Sequence, residues 1–142
     1  MKTMEHFLAD NKRPIYSVRP DATVREALEL MAQKNIGALL VMDGETLAGV
    51  FSERDYARKV VLKGKTSNEA LVKDVMATKV ITVESTHNME HCMQIMTDHH
   101  VRHLPIMDKQ QVKGLVSIGD VVKEMMAHQK ATIEQLQSYI AS

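Results

Sequence analysis

The sequence predicts a mixed α/β (α+β) fold built from two tandem β-α-β-β-α units packed as a pseudo-symmetric pair. Three observations predict it. The chain repeats itself at an offset of 65 residues: Val18 falls on Val83, Met31 on Met96, Leu39 on Leu104, Met42 on Met107 and Asp43 on Asp108. The match runs without a gap from residue 15 to residue 62, and a period this long is one supersecondary unit. Within each copy the apolar pattern switches between the helical and the strand period. Each copy also closes on the same polar pattern, Gly49-Val-Phe-Ser52-Glu-Arg-Asp55 and Gly114-Leu-Val-Ser117-Ile-Gly-Asp120. Packing explains repeated apolar positions; a polar cluster kept twice suggests two equivalent sites. The linear division is residues 1–66, an N-terminal segment plus repeat 1, and residues 67–142, repeat 2 plus a long C-terminal helix.

The elements follow in order. Residues 3–10 suit a short amphipathic helix carrying Met4, Phe7 and Leu8. Ile15–Val18 is a strand stopped by Pro20-Asp21. Thr23 then opens a helix, with Glu26 placed to complete a capping box. Its stripe of Val24, Ala27, Leu28 and Met31 has i, i+3, i+4, i+7 spacing. After Gly37 come strands Ala38–Met42 and Leu47–Phe51, joined at the hairpin signal Asp43-Gly44. A helix runs from Ser52 to Val61 or Leu62, Lys63–Asn68 is a polar loop, and Ala70–Met76 leads into the second copy. There, Val80–Val83 is a strand and Met89, Cys92, Met93 and Met96 form the helix stripe. Strands Leu104–Met107 and Val112–Val116 flank the turn Asp108–Gln111, and the last helix runs from Ser117 to Ile140. Each unit has one apolar sheet face and two helices, too little for a core alone, so the two are expected to stack back to back.

Composition narrows the function classes. Lys plus Arg and Asp plus Glu both number 18, so the basic surplus of a nucleic-acid binder is missing. No apolar run approaches the roughly 18 residues of a membrane span, and the N-terminus lacks the apolar core of a signal peptide. The single cysteine cannot form an internal disulfide, which fits a cytoplasmic protein. No nucleophile and base come together in the pattern, so catalysis is not expected.

The repeated cluster sits where a strand ends and a helix begins. Ser there is a favoured N-cap, and Asp three residues on suits both a capping box and the positive helix end. The same unpaired N–H groups can also hold an anion, the hydroxyl can donate to a phosphate oxygen, and the carboxylate can accept both hydroxyls of a ribose. Both readings stand: helix cap, and nucleotide clamp. Gly49 and Gly114 let a ligand approach the strand or mark a bulge. Arg54 is either a bidentate phosphate contact or a solvated arginine. Gly119, costly in a first helical turn, lets the backbone crowd a phosphate.

Other constellations are weaker. His87, His91, His99, His100 and His103 cluster in sequence, and the first two have i, i+4 metal spacing. Nothing completes a ligand set, so they read as a solvated face and no metal is expected. Cys92 lies on the apolar stripe as a small buried hydrophobe. In the last helix Val122, Met126, Gln129, Ile133, Leu136 and Ile140 alternate spacings of four and three, a seam for a second copy or for the chain's own helices.

Taken as an ordered set, these motifs resemble a cystathionine-β-synthase-type (CBS) domain pair, or Bateman module. The resemblance rests on the two Ser-x-x-Asp clusters, Arg102-His-Leu-Pro-Ile106, Lys73-Asp-Val-Met76 and Ser52-Glu-Arg-Asp-Tyr-Ala-Arg58, and it covers residues 14–127. The likeness is to the small stand-alone bacterial members. It implies a regulatory module, not an enzyme, that binds adenine nucleotides in clefts between the repeats. AMP is the first expectation, with ADP, ATP, NAD and S-adenosylmethionine as alternatives. It gives Asp120 and Asp55 the ribose, Ser117 and Ser52 the phosphate. The second site would comprise Ile81, Thr82, Val101, Arg102, His103, Pro105, Ser117, Gly119 and Asp120. The first would comprise Tyr16, Ser17, Ile36, Gly37, Ala38, Ser52, Arg54 and Asp55. Where the second copy has Arg102-His103 the first has Gly37-Ala38, a smaller pair with room for a larger ligand such as NAD. The resemblance also implies a homodimer and a client protein, with no nucleic acid and no membrane. The competing expectation is a scaffold module whose clefts are filled by side chains.

Overall fold

The structure is a computed structural model, and it describes residues 1–141. The elements run α1 (Met4–Asp10), β1 (Ser17–Val18), α2 (Val24–Lys34), β2 (Ala38–Asp43), β3 (Thr46–Ser52), α3 (Glu53–Tyr56), α4 (Val72–Val75), α5 (Met89–His99), β4 (His103–Asp108), β5 (Gln111–Ser117) and α6 (Ile118–Ala141). The mixed α/β class, the repeated strand-helix order and the long last helix are as expected.

The chain forms two compact units that do not follow its linear halves. One contains Pro14–Ile81 with Lys109–Val112; the other contains Met1–Arg13, Thr82–Asp108 and Lys113–Ser142. Two local facts explain the exchange. The start of α1 is bonded to the second repeat: Met4 N–H donates to the His87 carbonyl (2.7 Å), Glu5 N–H to Ser85 (2.9 Å) and Met89 N–H to Lys2 (3.0 Å). The segment expected to lead into the second copy instead closes the first. Val72 N–H donates to Ala22 (2.9 Å), Val24 N–H to Ala70 (2.9 Å) and Lys73 N–H to Pro20 (2.9 Å).

In the unit carrying the first repeat, β1 is parallel to β2 and β2 antiparallel to β3, in the order β1-β2-β3. The hairpin turns at Gly44, whose φ of 62° lies in the left-handed region that glycine adopts without strain. Thr23 caps α2, its hydroxyl accepting from Glu26 N–H at 3.1 Å. The helix ends on Asn35 in the left-handed conformation, two residues before the glycine that was expected to follow it. Val24, Ala27 and Met31 from α2 join Leu39, Val41, Phe51, Val60, Val72 and Val75 in one buried core. Past Tyr56 the expected α-helix widens into a π-helical turn, Ala57–Val61, with Leu62 N–H donating to Ala57 at 3.1 Å.

The second repeat is similar in its local devices. Asn88 caps α5 by accepting from His91 N–H at 2.8 Å, and α5 ends on His100, also left-handed. Asn35 and His100 are equivalent positions, so the repeat extends to a backbone feature. Met4, Phe7, Val83, Met89, Cys92, Met96, Leu104, Ile106, Val116 and Val121 are buried. The expected strand Val80–Val83 reduces to one parallel bridge, Val83 to Ile106, because only Val83 exchanges hydrogen bonds, with Pro105 and Met107. Strands β4 and β5 pair as a two-stranded sheet.

Candidate functional site

Each cluster lies at the step from a strand into a helix, and the geometry is nearly the same twice. In the first, the Ser52 hydroxyl accepts from Asp55 N–H (3.2 Å) and donates to Asp55 Oδ2 (3.0 Å), which also accepts from Ser52 N–H (3.0 Å). In the second, the Ser117 hydroxyl accepts from Asp120 N–H (3.1 Å) and donates to Asp120 Oδ2 (2.9 Å), which accepts from Ser117 N–H (2.9 Å). Both clusters are therefore reciprocal capping boxes, as the first reading of the motif held.

A further bond anchors each helix start. Glu53 N–H donates to the Gly37 carbonyl (3.1 Å) and Ile118 N–H to the Arg102 carbonyl (2.8 Å), again at equivalent positions. This ties the two residues before each hairpin to the cluster and brings Gly37 and Arg102 into each site through their backbone. Two amides of each helix start are thus already bound, so the anion-holding capacity of the N-terminus is smaller than four free N–H groups suggest.

The remaining predicted positions fall as follows. In the first repeat Ser17 and Arg54 are exposed, Tyr16 and Ile36 half-buried, and Ala38 is buried in β2 opposite Ser52. Lys34 Nζ lies 5.3 Å from the centre of the Tyr16 ring. In the second, Thr82, Arg102 and Gly119 are exposed and Val101 and His103 half-buried. Pro105 is buried within β4, its carbonyl taking the Val83 N–H at 3.0 Å. Ile81 is the last residue of the other unit's main segment.

The glycines are packing positions. A Cβ on Gly49 would stand 2.6 Å from the Ala77 carbonyl oxygen and 2.8 Å from Met76 Sδ; one on Gly114 would stand 2.6 Å from Leu8 Cδ2. The approach to the strand that was read as room for a ligand is made by the chain itself.

Two cations at the clusters were missed. Lys59 Nζ lies 3.1 Å from Asp55 Oδ1, an i,i+4 pair whose spacing was available in the sequence. Arg13 makes a two-bond fork on Asp120, Nη1 to Oδ1 at 3.2 Å and Nη2 to Oδ2 at 3.0 Å, while its guanidinium stands 5.2 Å from the centre of the Phe7 ring. No local signal announces a partner so distant in sequence. Burial pushes the Asp120 carboxyl up, but the Arg13 fork and the Ser117 donors outweigh it and hold it below the ordinary aspartate value. The histidines gather no metal set: no cluster of three or more His, Cys, Asp or Glu suited to a metal occurs among the described residues. His87 and His91 stack, ring centres 4.1 Å apart, and His87 Nδ1 accepts from Glu84 N–H.

Fold and site together define a tandem-repeat module that carries one capped carboxylate in each repeat. The family model of the CBS domain matches residues 9–62 and again 72–127. The chain belongs to the CBS-domain family. It is 38% identical over 125 residues to the mitochondrial CBS domain-containing protein CBSX3 of Arabidopsis thaliana, covering 84% of this chain and 61% of that protein. A solved signal-transduction protein with CBS domains from Burkholderia ambifaria is 48% identical, with a TM-score of 0.81 over 84% of this chain and 88% of that one. The CBS domain pair of protein MJ0100 shares the fold, with a TM-score of 0.74 at 21% identity over 82% of this chain and 91% of that one.

Proposed function

We propose that the chain is a regulatory sensor that binds adenine nucleotides, with AMP as the leading ligand and ADP, ATP or NAD as alternatives. The observation that carries this reading is the carboxylate of Asp120, repeated in Asp55. Each is half-buried at a strand-to-helix step and held by two hydrogen bonds from its own cap, the serine N–H and the serine hydroxyl. A fixed carboxylate beside a helix start is suited to a ribose diol with a phosphate close by. The MJ0100 domain pair, which shares the fold, was solved with 5′-methylthioadenosine and S-adenosyl-L-methionine. In this reading the second-site residues are Ile81, Thr82, Val101, Arg102, His103, Pro105, Ser117, Gly119 and Asp120, and the first-site residues are Tyr16, Ser17, Ile36, Gly37, Ala38, Ser52, Arg54 and Asp55.

The output is conformational: occupancy shifts an equilibrium between two arrangements, which requires that the ligand bind one of them more tightly. A second copy of the chain is the partner that fits α6. Along it Val122, Met126, Ile133, Leu136 and Ile140 are 42, 65, 54, 57 and 81% exposed at the spacing of a helical seam. A client protein receives the signal, and the cytoplasm is the compartment that one buried cysteine and balanced charge suit. No helix among the described residues is long and apolar enough to cross a membrane.

A scaffold reading is favoured by one observation: the caps and the chain's own contacts account for the glycine, serine and aspartate that the two clusters share, since the space beside Gly49 and Gly114 is already filled. Thermal unfolding separates the two. A nucleotide in hundredfold excess over its dissociation constant stabilises the folded chain by about 2.7 kcal/mol. An adenine-specific rise that disappears in Asp55→Ala/Asp120→Ala supports the sensor. No rise with AMP, ADP, ATP, NAD or S-adenosylmethionine, after stripping of bound ligand, supports the scaffold.

A further inference from the structure

The two clusters neutralise their carboxylates differently. Asp55 is met by Lys59, one turn further along the same helical segment, and Lys59 Nζ also donates to the Val75 carbonyl at 3.1 Å. The equivalent of Lys59 in the second repeat is Glu124, so the charge is inverted at that position. The N-terminal segment compensates twice. Lys2 Nζ reaches Glu124 Oε1 at 3.0 Å, and Arg13 supplies the fork on Asp120.

The Asp120 carboxylate already accepts four hydrogen bonds: Ser117 N–H, Ser117 O–H and Arg13 Nη2 at Oδ2, and Arg13 Nη1 at Oδ1. An ionised carboxylate offers about four lone-pair sites. A diol claiming this group must displace donors. The Ser117 N–H is the backbone half of the capping box that starts α6 and stays with it, and the Ser117 hydroxyl frees only one site by turning, too little for both hydroxyls of a diol. Arg13 is the donor free to leave: its side chain is 51% exposed, on the irregular segment that follows α1. Arginine matches a phosphate with the same two-bond fork it makes here.

We propose that Arg13 is an exchangeable counter-ion of the second cluster that makes the site select phosphorylated nucleosides over plain ones. This rests on the sensor reading above. A ribose takes the Asp120 oxygens that Arg13 gives up, and the guanidinium passes to the phosphate of the same ligand. A nucleoside without phosphate must evict Arg13 and leaves it with no anion. Lys59 makes a single contact with its aspartate, Nζ to Oδ1, and leaves Asp55 Oδ2 to the cap, so the exchange is proposed for the second cluster, where the fork takes both oxygens.

The test is calorimetric titration of the full chain with AMP and with adenosine, in an Asp55→Asn background that silences the first cluster. Arg13, Arg13→Gln and Arg13→Lys are compared, and their unfolding midpoints are recorded alongside. Expected is at least a tenfold fall in the AMP-to-adenosine affinity ratio in Arg13→Gln, with adenosine bound more tightly and AMP more weakly, and a smaller fall in Arg13→Lys. A ratio unchanged in Arg13→Gln, or both ligands weakened by the same factor, overturns the exchange while leaving the sensor reading intact. If the chain with Arg13 and Asp55 both intact binds neither AMP nor adenosine, the exchange is overturned, and the sensor reading falls with it only when ADP, ATP, NAD and S-adenosylmethionine are not bound either. Binding lost on Asp55→Asn alone places the ligand at the first cluster and overturns the exchange.

Discussion

Gly49→Ala and Gly114→Ala are the same substitution at equivalent positions of the two repeats, and they should behave differently. Neither glycine has a φ in the left-handed region, so the backbone itself accepts alanine. The neighbours decide. At Gly49 the new methyl would meet the Ala77 carbonyl oxygen at 2.6 Å. That oxygen is not free to retreat: it accepts the Val50 N–H at 3.1 Å, and Ala77 N–H returns a bond to Val50 at 2.9 Å. Relief needs a backbone shift that strains both bonds and displaces Met76, which packs on the core. Overpacking of this kind costs about 1–3 kcal/mol. At about 4 °C per kcal/mol for a chain of this size, the midpoint should fall by about 4–12 °C. At Gly114 the obstacle is Leu8 Cδ2, the far end of a half-buried side chain that can change rotamer. There the loss is set against about 0.4–1 kcal/mol gained by restricting the unfolded chain, so Gly114→Ala should be close to neutral. Thermal and urea unfolding of both variants decides the matter. Equal losses, or a Gly49→Ala midpoint within about 2 °C of the parent, would refute the reasoning that a bonded backbone and a mobile side chain set the difference.

Two further outcomes follow from the ionisable groups. The folded Asp120 carboxyl titrates below its ordinary value of 3.8, so its contribution to stability is fully present above that value and is lost as the pH falls through the lowered one. The stability gap between the parent and Asp120→Asn, read by urea unfolding, should be constant from about pH 7 to pH 5 and should narrow below about pH 4; a gap that widens on acidification contradicts the assignment. Burial pushes the Cys92 thiol up to about 11 from 9.0, a contribution present below the ordinary value and lost as pH rises through the raised one. Iodoacetamide at about pH 8 should therefore label Cys92 only once the chain is unfolded, and equally fast labelling of the folded protein would show that the thiol is not enclosed.

What was legible in the sequence is what depends on neighbours a few residues apart. Thr23, Ser52 and Ser117 were read as caps from spacing alone, and each accepts the amide three residues on. Gly44 turned the hairpin for the reason its Asp-Gly signal gave. The fold class followed because the helical and strand periods alternate in the same order twice. Three things were not legible, each for a physical reason. Val80–Val83 has the composition of a strand, but pairing is made by a partner, and only Val83 found one. The π-helical widening at Ala57–Val61 leaves no mark in a pattern read at helical spacing. The Arg13 fork joins residues 107 apart, and nothing near Arg13 in sequence distinguishes it from any exposed arginine. The charge inversion from Lys59 to Glu124 was visible all along, but it acquires meaning only when Lys2 and Arg13 are seen to compensate it.

The cap and the clamp draw on the same atoms, and that constrains how a sensor could work. A serine hydroxyl has one proton. Ser52 and Ser117 each spend it on the Oδ2 of their own aspartate, so neither can donate to a phosphate oxygen without turning away from its carboxylate. Turning need not break the cap, because the hydroxyl oxygen can still accept the aspartate amide. What is lost is one of the donors on Oδ2, which then becomes available to a ribose hydroxyl. A single rotation about the serine Cβ–Oγ bond would therefore supply a donor for the phosphate and an acceptor for the ribose together. In the second cluster Arg13 would have to leave as well, whereas in the first Lys59 stays. On this argument the two clusters, alike in motif and in cap, differ in how much a ligand must rearrange, and that difference lies not in the shared Ser-x-x-Asp motif but in Arg13 and in the exchange of Lys59 for Glu124.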